Sequence, residues 1–133
     1  VQRGTADREA LKAGLACVER GEPLVMFPEG TRQSGPTVAQ MFDGPAYVAC
    51  RTGAPIVPVG FGGTEAAMPK GSKFVRPVKM VMVIGAPLHP PPLKESGRVS
   101  RRAVRDLTAE LGQAIQALFD EAQALAGRPN PHP

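Results

Sequence analysis

Residues 24–32 read Leu-Val-Met-Phe-Pro-Glu-Gly-Thr-Arg and join an apolar run to a polar turn. The first four residues are all apolar, which is typical of a strand buried on both faces of a helix-covered sheet. Pro28 ends the run because it cannot donate to a strand ladder. A loop that follows a buried strand is where α/β folds commonly bind ligands. We therefore expect α/β architecture, with a candidate site at residues 28–32.

Helical patterns lie on both sides of this stretch. Apolar residues recur at helical spacing over residues 7–20. Residues 44–52 predict a second helix, because Pro45 is tolerated in a first helical turn and Gly53 is a typical helix terminator. The apolar run therefore lies between two short helices.

The second half of the chain predicts two strands and one long helix. Residues 55–61 and 78–84 are mostly apolar and typical of strands, and the prolines of the first place it near a sheet edge or at a strand start. Ser100 is a good N-cap, and an apolar stripe at three- and four-residue spacing continues from it to Gly127. The expected fold is a mixed, largely parallel sheet flanked by helices, with the long helix packed across it.

Composition supports one folded domain. The chain has 133 residues, with 15 Gly and 15 Pro, yet 42% of its residues are hydrophobic and only 21% are charged. That apolar content can offset the entropy cost of folding, so Gly and Pro are interpreted as punctuation between short elements. We expect disorder only in the tail, residues 128–133. No apolar run reaches the roughly 18 residues of a membrane-spanning helix.

Charge points to an anionic partner. The formal net charge is +4, and between Lys70 and Arg105 the one acidic residue is Glu95. Such a stretch suits lipid headgroups, a phosphorylated substrate, an acidic carrier protein or nucleic acid, and it is equally consistent with a solvated basic edge. Scarce aromatics, five Phe, one Tyr and no Trp, argue against binding single-stranded nucleic acid by stacking. Cys17 and Cys50 lack the spacing of a metal site, so both are expected to be small buried residues.

The turn after the apolar run carries the candidate binding groups. Gly30 allows the backbone to turn and approach a ligand. Arg32 offers a planar guanidinium that can hold phosphate through two hydrogen bonds, and Glu29 can orient Arg32 or accept a substrate hydroxyl. Thr31 adds a hydroxyl donor. The alternative is an ordinary turn in which Glu29 and Arg32 form a weak surface ion pair.

Two further residues complete the candidate set. Arg3, ahead of the first helix, offers a second guanidinium for the same phosphate, although an arginine near a terminus can equally be solvated. Pro58 lies in residues 53–59, which together with the following Gly-Gly-Thr-Glu segment form either a pocket wall or simple turn-and-strand packing. His89 and His132 have no carboxylate or nucleophile nearby in the sequence.

Residues 27–32, Phe-Pro-Glu-Gly-Thr-Arg, resemble the 1-acyl-sn-glycerol-3-phosphate acyltransferase (lysophosphatidic acid acyltransferase) family of phospholipid synthesis. Glu-Gly-Thr-Arg should arise by chance roughly once in five hundred chains of this length. Further blocks resemble the family in the same order and suggest a bacterial member; they are residues 1–4, 55–59, 63–65, 68–71 and 84–88.

The resemblance implies the partners and the roles of the candidate residues. The acyl donor would be acyl-CoA or acyl-carrier protein, and the acceptor a lysophospholipid, typically 1-acyl-sn-glycerol-3-phosphate. Arg3 and Arg32 would bind its phosphate, while Glu29 would position its glycerol part. No metal and no cofactor is implied. The expected location is the cytoplasmic face of the cell membrane, on an anionic lipid surface.

One departure from the family concerns the catalytic residues. The family's first block is His-x-x-x-x-Asp, in which His acts as general base. Here Lys94 stands five residues after His89, and His132 is the penultimate residue, so no catalytic residue is assigned. We expect residues 1–127 to be the C-terminal part of a single, N-terminally truncated acyltransferase domain that is inactive alone. Two alternatives stay open: a non-catalytic peripheral membrane module that binds anionic lipid through its basic stretch, and a related acyltransferase with a non-lipid acceptor.

Overall fold

The computed structural model describes residues 3–131, the first five of them by backbone only. It contains four helices and two strands within that range. In chain order these are α1 (Arg3–Glu19), α2 (Gly44–Thr52), β1 (Val59–Gly62), α3 (Thr64–Ala67), β2 (Val81–Ile84) and α4 (Arg101–Leu125). The mixed helix-and-sheet composition agrees with the prediction.

The two strands form an antiparallel pair. Val59 lies opposite Ile84, and an isolated bridge between Ile56 and Leu88 extends the pairing beyond the strand ends. Within residues 3–131 these are the strands of the sheet, so the expected largely parallel sheet is not seen there. Parallel strands need a long crossover connection. Here the chain between β1 and β2 contains only the short α3 and an irregular segment, and the two strands pair antiparallel.

Residues 24–27 correct the prediction of a strand buried on both faces. They have no strand partner in the described part of the chain, where the sheet consists of β1 and β2 alone. Val25 and Phe27 are each 79% exposed. Leu24 and Met26 point the other way, toward Gly14 of α1 and Gly44 of α2. The segment is therefore extended, with one apolar side packed and one side open.

The long helix α4 packs directly on β1 through two glycines. A Cβ at Gly60 would lie 2.5 Å from the carbonyl carbon of Leu118, and one at Gly62 would overlap the backbone of Ala122. At the other end of α4, Ser100 is the N-cap, as the sequence predicts. A small core joins this end to α2; it contains Ala46, Ala49, Cys50, Val104 and Leu107.

Part of the expected disordered tail is packed against α4. Asn130 is only 9% exposed, and its Nδ2 donates to Asp120 Oδ1 at 2.7 Å. Gly127, at φ 79°, makes the turn that returns the chain toward the helix. The disorder predicted for His132 and Pro133 falls outside the described residues. None of the described helices is both long and apolar enough to cross a bilayer.

Candidate functional site

The candidate turn is closed by backbone hydrogen bonds and requires glycine. The Gly30 N–H donates to the Phe27 carbonyl at 3.0 Å, and the Phe42 N–H donates to the Pro28 carbonyl at 2.8 Å. Gly30 adopts φ 70°, and a Cβ there would lie 2.6 Å from the Phe42 ring. Any other residue would meet both backbone strain and this ring. The turn thus fixes where residues 31 and 32 leave the backbone.

Glu29 braces the loop that follows instead of pairing with Arg32. Its side chain is half-buried, and Oε2 accepts the Ala39 N–H at 3.0 Å. Thr31 and Arg32 are exposed. The ion pairs of the described residues, Arg20 with Glu22 and Arg102 with Asp106, do not involve Arg32. The alternative of a Glu29–Arg32 surface ion pair is therefore wrong, and the guanidinium is accessible to an anion.

Two more side chains hold the segment that we call the 31–39 loop. Glu65 Oε2, from α3, accepts the Gly35 N–H at 3.2 Å. Gln116, from α4, accepts the Val38 N–H at 2.7 Å and donates to the Pro36 carbonyl at 3.0 Å. Because Glu29 of the turn, Glu65 of α3 and Gln116 of α4 all bond to its backbone groups, the loop that contains Arg32 is held at several points.

Sequence reasoning missed Gln116, and helical spacing shows only which residues share its face of α4. Thr108, Gly112, Gln116 and Asp120 recur every four residues, so they share one face of α4. Thr108 donates to Asp43 Oδ1 at 2.8 Å, and Asp120 accepts from Gln116 Nε2 at 3.0 Å. Of this row, only Gln116 bonds to the loop backbone, so the spacing alone does not identify it.

No described contact joins the two remaining predicted residues, Arg3 and Pro58, to this turn. Arg3 begins α1, and its side chain lies outside the part that the structure describes. Pro58 is buried just before β1, where its carbonyl accepts the Gly85 N–H at 2.9 Å. This contact joins it to the strand pair and not to the 31–39 loop. The binding roles of both residues stay predictions.

A cleft of about 450 Å³ lies away from the turn, between the end of α2 and the start of α4. Cys50 and Leu107 are among its lining residues. Burial raises the pKa of the Cys50 thiol, because the thiolate would lose its hydration. The turn instead adjoins the beginning of α2, through Phe42. The candidate site is therefore an exposed turn and not a cavity.

The described residues supply binding groups more clearly than catalytic ones. His89 is exposed and forms no hydrogen bond or ion pair with any described residue. Among the same residues no cluster of three or more His, Cys, Asp or Glu could hold a metal ion. What the turn offers is a cation, a hydroxyl and a braced carboxylate side by side, which suits a phosphate ester that carries hydroxyl groups.

Comparison with known proteins agrees with this chemistry. Residues 1–62 match the family model described as Acyltransferase. The matched residues include the whole turn. A 1-acyl-sn-glycerol-3-phosphate acyltransferase of Chlamydomonas reinhardtii is 33% identical over 123 residues, 86% of this chain and 36% of its own length. The chain is similar to 1-acyl-sn-glycerol-3-phosphate acyltransferases over most of its length.

Bacterial members of the family match across most of the chain. The Bacillus subtilis 1-acyl-sn-glycerol-3-phosphate acyltransferase is 27% identical over 125 residues, 94% of this chain and 59% of its own length. The crystal structure of the 1-acyl-sn-glycerophosphate acyltransferase PlsC from Thermotoga maritima superposes with a TM-score of 0.66 at 26% identity, covering 92% of this chain and 46% of that one. The chain thus spans less than two thirds of these acyltransferases.

Proposed function

We propose that the chain forms the acceptor-binding part of an enzyme that moves a fatty acyl group from acyl-CoA or acyl-carrier protein to 1-acyl-sn-glycerol-3-phosphate. The observation that carries the proposal is the turn at residues 28–32. It presents the Arg32 guanidinium with no ion-pair partner among the described side chains, while Glu29 holds the Ala39 N–H of the following loop. An unpaired guanidinium on a fixed turn suits the acceptor's phosphate.

The acceptor would bind through its polar head. Arg32 would grip two phosphate oxygens, and the Thr31 hydroxyl would donate to a third. Glu29 uses Oε2 for the Ala39 N–H, which leaves Oε1 to accept a hydrogen bond from the glycerol part. Arg3 is proposed as a second phosphate ligand. Holding the head in this way orients the free hydroxyl toward the thioester, and such positioning can supply several kcal/mol of barrier reduction.

The transfer itself needs a base that these groups do not provide. The acceptor hydroxyl loses a proton, its oxygen bonds to the thioester carbonyl carbon, and the carbon–sulfur bond breaks to release a thiol. Arg32 is a cation, and Glu29 is assigned to the Ala39 N–H through Oε2 and to positioning the glycerol part through Oε1, so no group of the turn is assigned as the base. We therefore propose that this chain alone binds acceptor without turnover and acts as part of a longer phospholipid-synthesis enzyme at the cytoplasmic face of the membrane.

The expected largely parallel sheet is part of the same proposal. Residues 24–27 are extended, and two of their side chains, Val25 and Phe27, are each 79% exposed. We propose that in the whole enzyme this segment pairs with a further strand and its open side is covered, since unpaired apolar strands are otherwise aggregation sites.

The test is acyl transfer by the intact enzyme with and without Arg32. Arg32→Ala should lower kcat/KM on lysophosphatidic acid at least 100-fold, and far less on a monoacylglycerol, which has no phosphate. Arg105→Ala, an equally exposed arginine on α4, should change neither value more than twofold. Equal losses on both acceptors would contradict a phosphate-binding role. Turnover by the 133-residue chain alone would contradict the proposed missing base.

A further inference from the structure

Residues 68–79, which we call the tip loop, connect α3 to β2 and expose an apolar pair. Phe74 is 81% exposed and Val75 is 71% exposed. No acidic residue lies in this segment. Four exposed cations flank the pair, namely Lys70, Lys73, Arg76 and Lys79. Large apolar side chains this exposed are costly in water, so they indicate a contact surface.

The tip loop is pre-formed. The Arg76 N–H donates to the Ala67 carbonyl of α3 at 2.7 Å, which ties the second half of the loop back to the helix before it. At the tip, the Ser72 hydroxyl donates to the Phe74 carbonyl at 3.0 Å and accepts the Phe74 N–H at 3.2 Å. A partner therefore meets an apolar pair whose backbone is already ordered, which reduces the entropy cost of binding.

The fold divides the basic stretch of residues 70–105 into two patches. The tip loop ends at Lys79, whose carbonyl lies beside Gly63, and Gly63 in turn lies beside Ala126. The other basic residues surround the start of α4, at Arg101. At 1.5 Å per residue, the helix separates these ends by about 36 Å. Of the two patches, the one at the tip loop carries the exposed apolar pair.

We propose that the tip loop docks the protein on a bilayer that contains anionic lipid. Phe74 and Val75 enter the boundary between headgroups and acyl chains, and the flanking cations contact the headgroups. A bilayer is favoured over an acidic protein because the exposed apolar pair has cations on both sides along the loop. A deformable lipid surface can receive both kinds of group at once, whereas a protein partner would need a matching cavity.

Docking in this way would bring the candidate site to the lipid surface. The tip loop closes on Ala67 of α3, and Glu65 of the same helix holds Gly35 of the 31–39 loop. One four-residue helix therefore connects the docking element to the segment that follows Arg32. This inference adds to the proposed function without depending on it, since lipid docking requires no acyl transfer.

The protein contains no Trp, so one substitution gives a local reporter. Phe74→Trp should show a blue-shifted emission, and quenching by brominated acyl chains, when vesicles of equal phosphatidylglycerol and phosphatidylcholine are added. Val57→Trp, at an exposed apolar position outside the tip loop, should show neither. If the Phe74→Trp variant binds vesicles without a shift in its emission, the assignment of docking to the tip loop is overturned.

Charge is tested with two matched quadruple variants. Replacing the four tip-loop cations with Gln should weaken vesicle co-sedimentation more than about 100-fold at low salt, and Phe74→Ser about tenfold. The matched variant should change binding less than threefold; it replaces Arg98, Arg101, Arg102 and Arg105 with Gln. Equal losses from both quadruple variants, or equal binding to pure phosphatidylcholine, would contradict docking by the tip loop.

Further outcomes separate this inference from other partners and from the proposed function. Tip-dependent binding to an acidic carrier protein without vesicle binding would overturn the lipid assignment in favour of a protein. Conversion of a dimer to a monomer by Phe74→Ser would overturn it in favour of a second copy of this chain. Arg32→Ala should leave vesicle binding within twofold, so failure of docking and failure of acceptor binding give different results.

Discussion

Gln116→Ala should release the 31–39 loop without unfolding α4. The substitution removes the acceptor of the Val38 N–H, at 2.7 Å, and the donor to the Pro36 carbonyl, at 3.0 Å. Each hydrogen bond contributes about 1 kcal/mol, so opening of the loop should become easier by about 2 kcal/mol. That energy corresponds to a roughly 30-fold larger open population. Alanine also favours helix at least as well as glutamine, so α4 itself should persist.

Amide hydrogen exchange measures this opening residue by residue. The Val38 amide should exchange about 30-fold faster in Gln116→Ala, because it loses its own acceptor. The amides of Gly35 and Ala39 should change less, since Glu65 and Glu29 still accept from them. Amides in the middle of α4 report whether the helix stays folded. Gln116→Glu keeps an acceptor oxygen but loses the donor. Its Val38 amide should therefore exchange at a rate between those of the unmodified protein and of Gln116→Ala.

The same helix provides the control. Gln113 carries the same side chain three residues earlier but is exposed. Gln113→Ala should therefore leave Val38 exchange within twofold of the unmodified protein. If Gln116→Ala raises Val38 exchange no more than Gln113→Ala does, then the glutamine does not hold the loop and the argument for a fixed site is refuted.

Three further results are expected. Gly62→Ala should lower the free energy of unfolding by about 3 kcal/mol in urea titration, because its Cβ would overlap the α4 backbone. Gly53 has open space around it, so Gly53→Ala should lower the same free energy by only about 1–2 kcal/mol, through its φ of 77°. Ser100→Ala should lower thermal stability by about 0.5–1 kcal/mol through the lost N-cap bond, and Ser100→Asp should restore it. Burial raises the pKa of Cys50, so its alkylation at pH 8 should be slower in the folded protein than in denaturant. The free energy of unfolding should also fall as pH rises above the ordinary thiol pKa, because the thiol of the unfolded chain loses its proton first.

The sequence predicted the position of a helix wherever the residues that begin and end it lie within one turn of it. The prediction of residues 44–52 is confirmed by α2, because Pro45 in the first turn and Gly53, at φ 77°, act within one turn of the helix. Ser100 begins α4 for the same kind of reason. The strand predicted at residues 55–61 is shorter in the structure, where β1 begins at Val59 and Ile56 makes only a bridge.

Strand burial was beyond local sequence reasoning. An apolar run specifies that residues 24–27 prefer to leave water, but not which strand will pair with them. In the described residues no strand does, so Val25 and Phe27 are exposed. The same limit applies to Pro58, where a strand-like sequence gave no indication that its carbonyl would be taken by Gly85.

By itself the sequence determined the Glu-Gly-Thr-Arg turn, the family resemblance and the helices that carry their own end signals, since all of these depend on neighbouring residues. Only the tertiary structure decided that Glu29 braces Ala39 instead of pairing with Arg32, and that one basic stretch becomes two patches. The reason is distance along the chain. Gln116 lies 78 residues beyond the Val38 amide that it holds, and no local pattern specifies a contact formed across that separation.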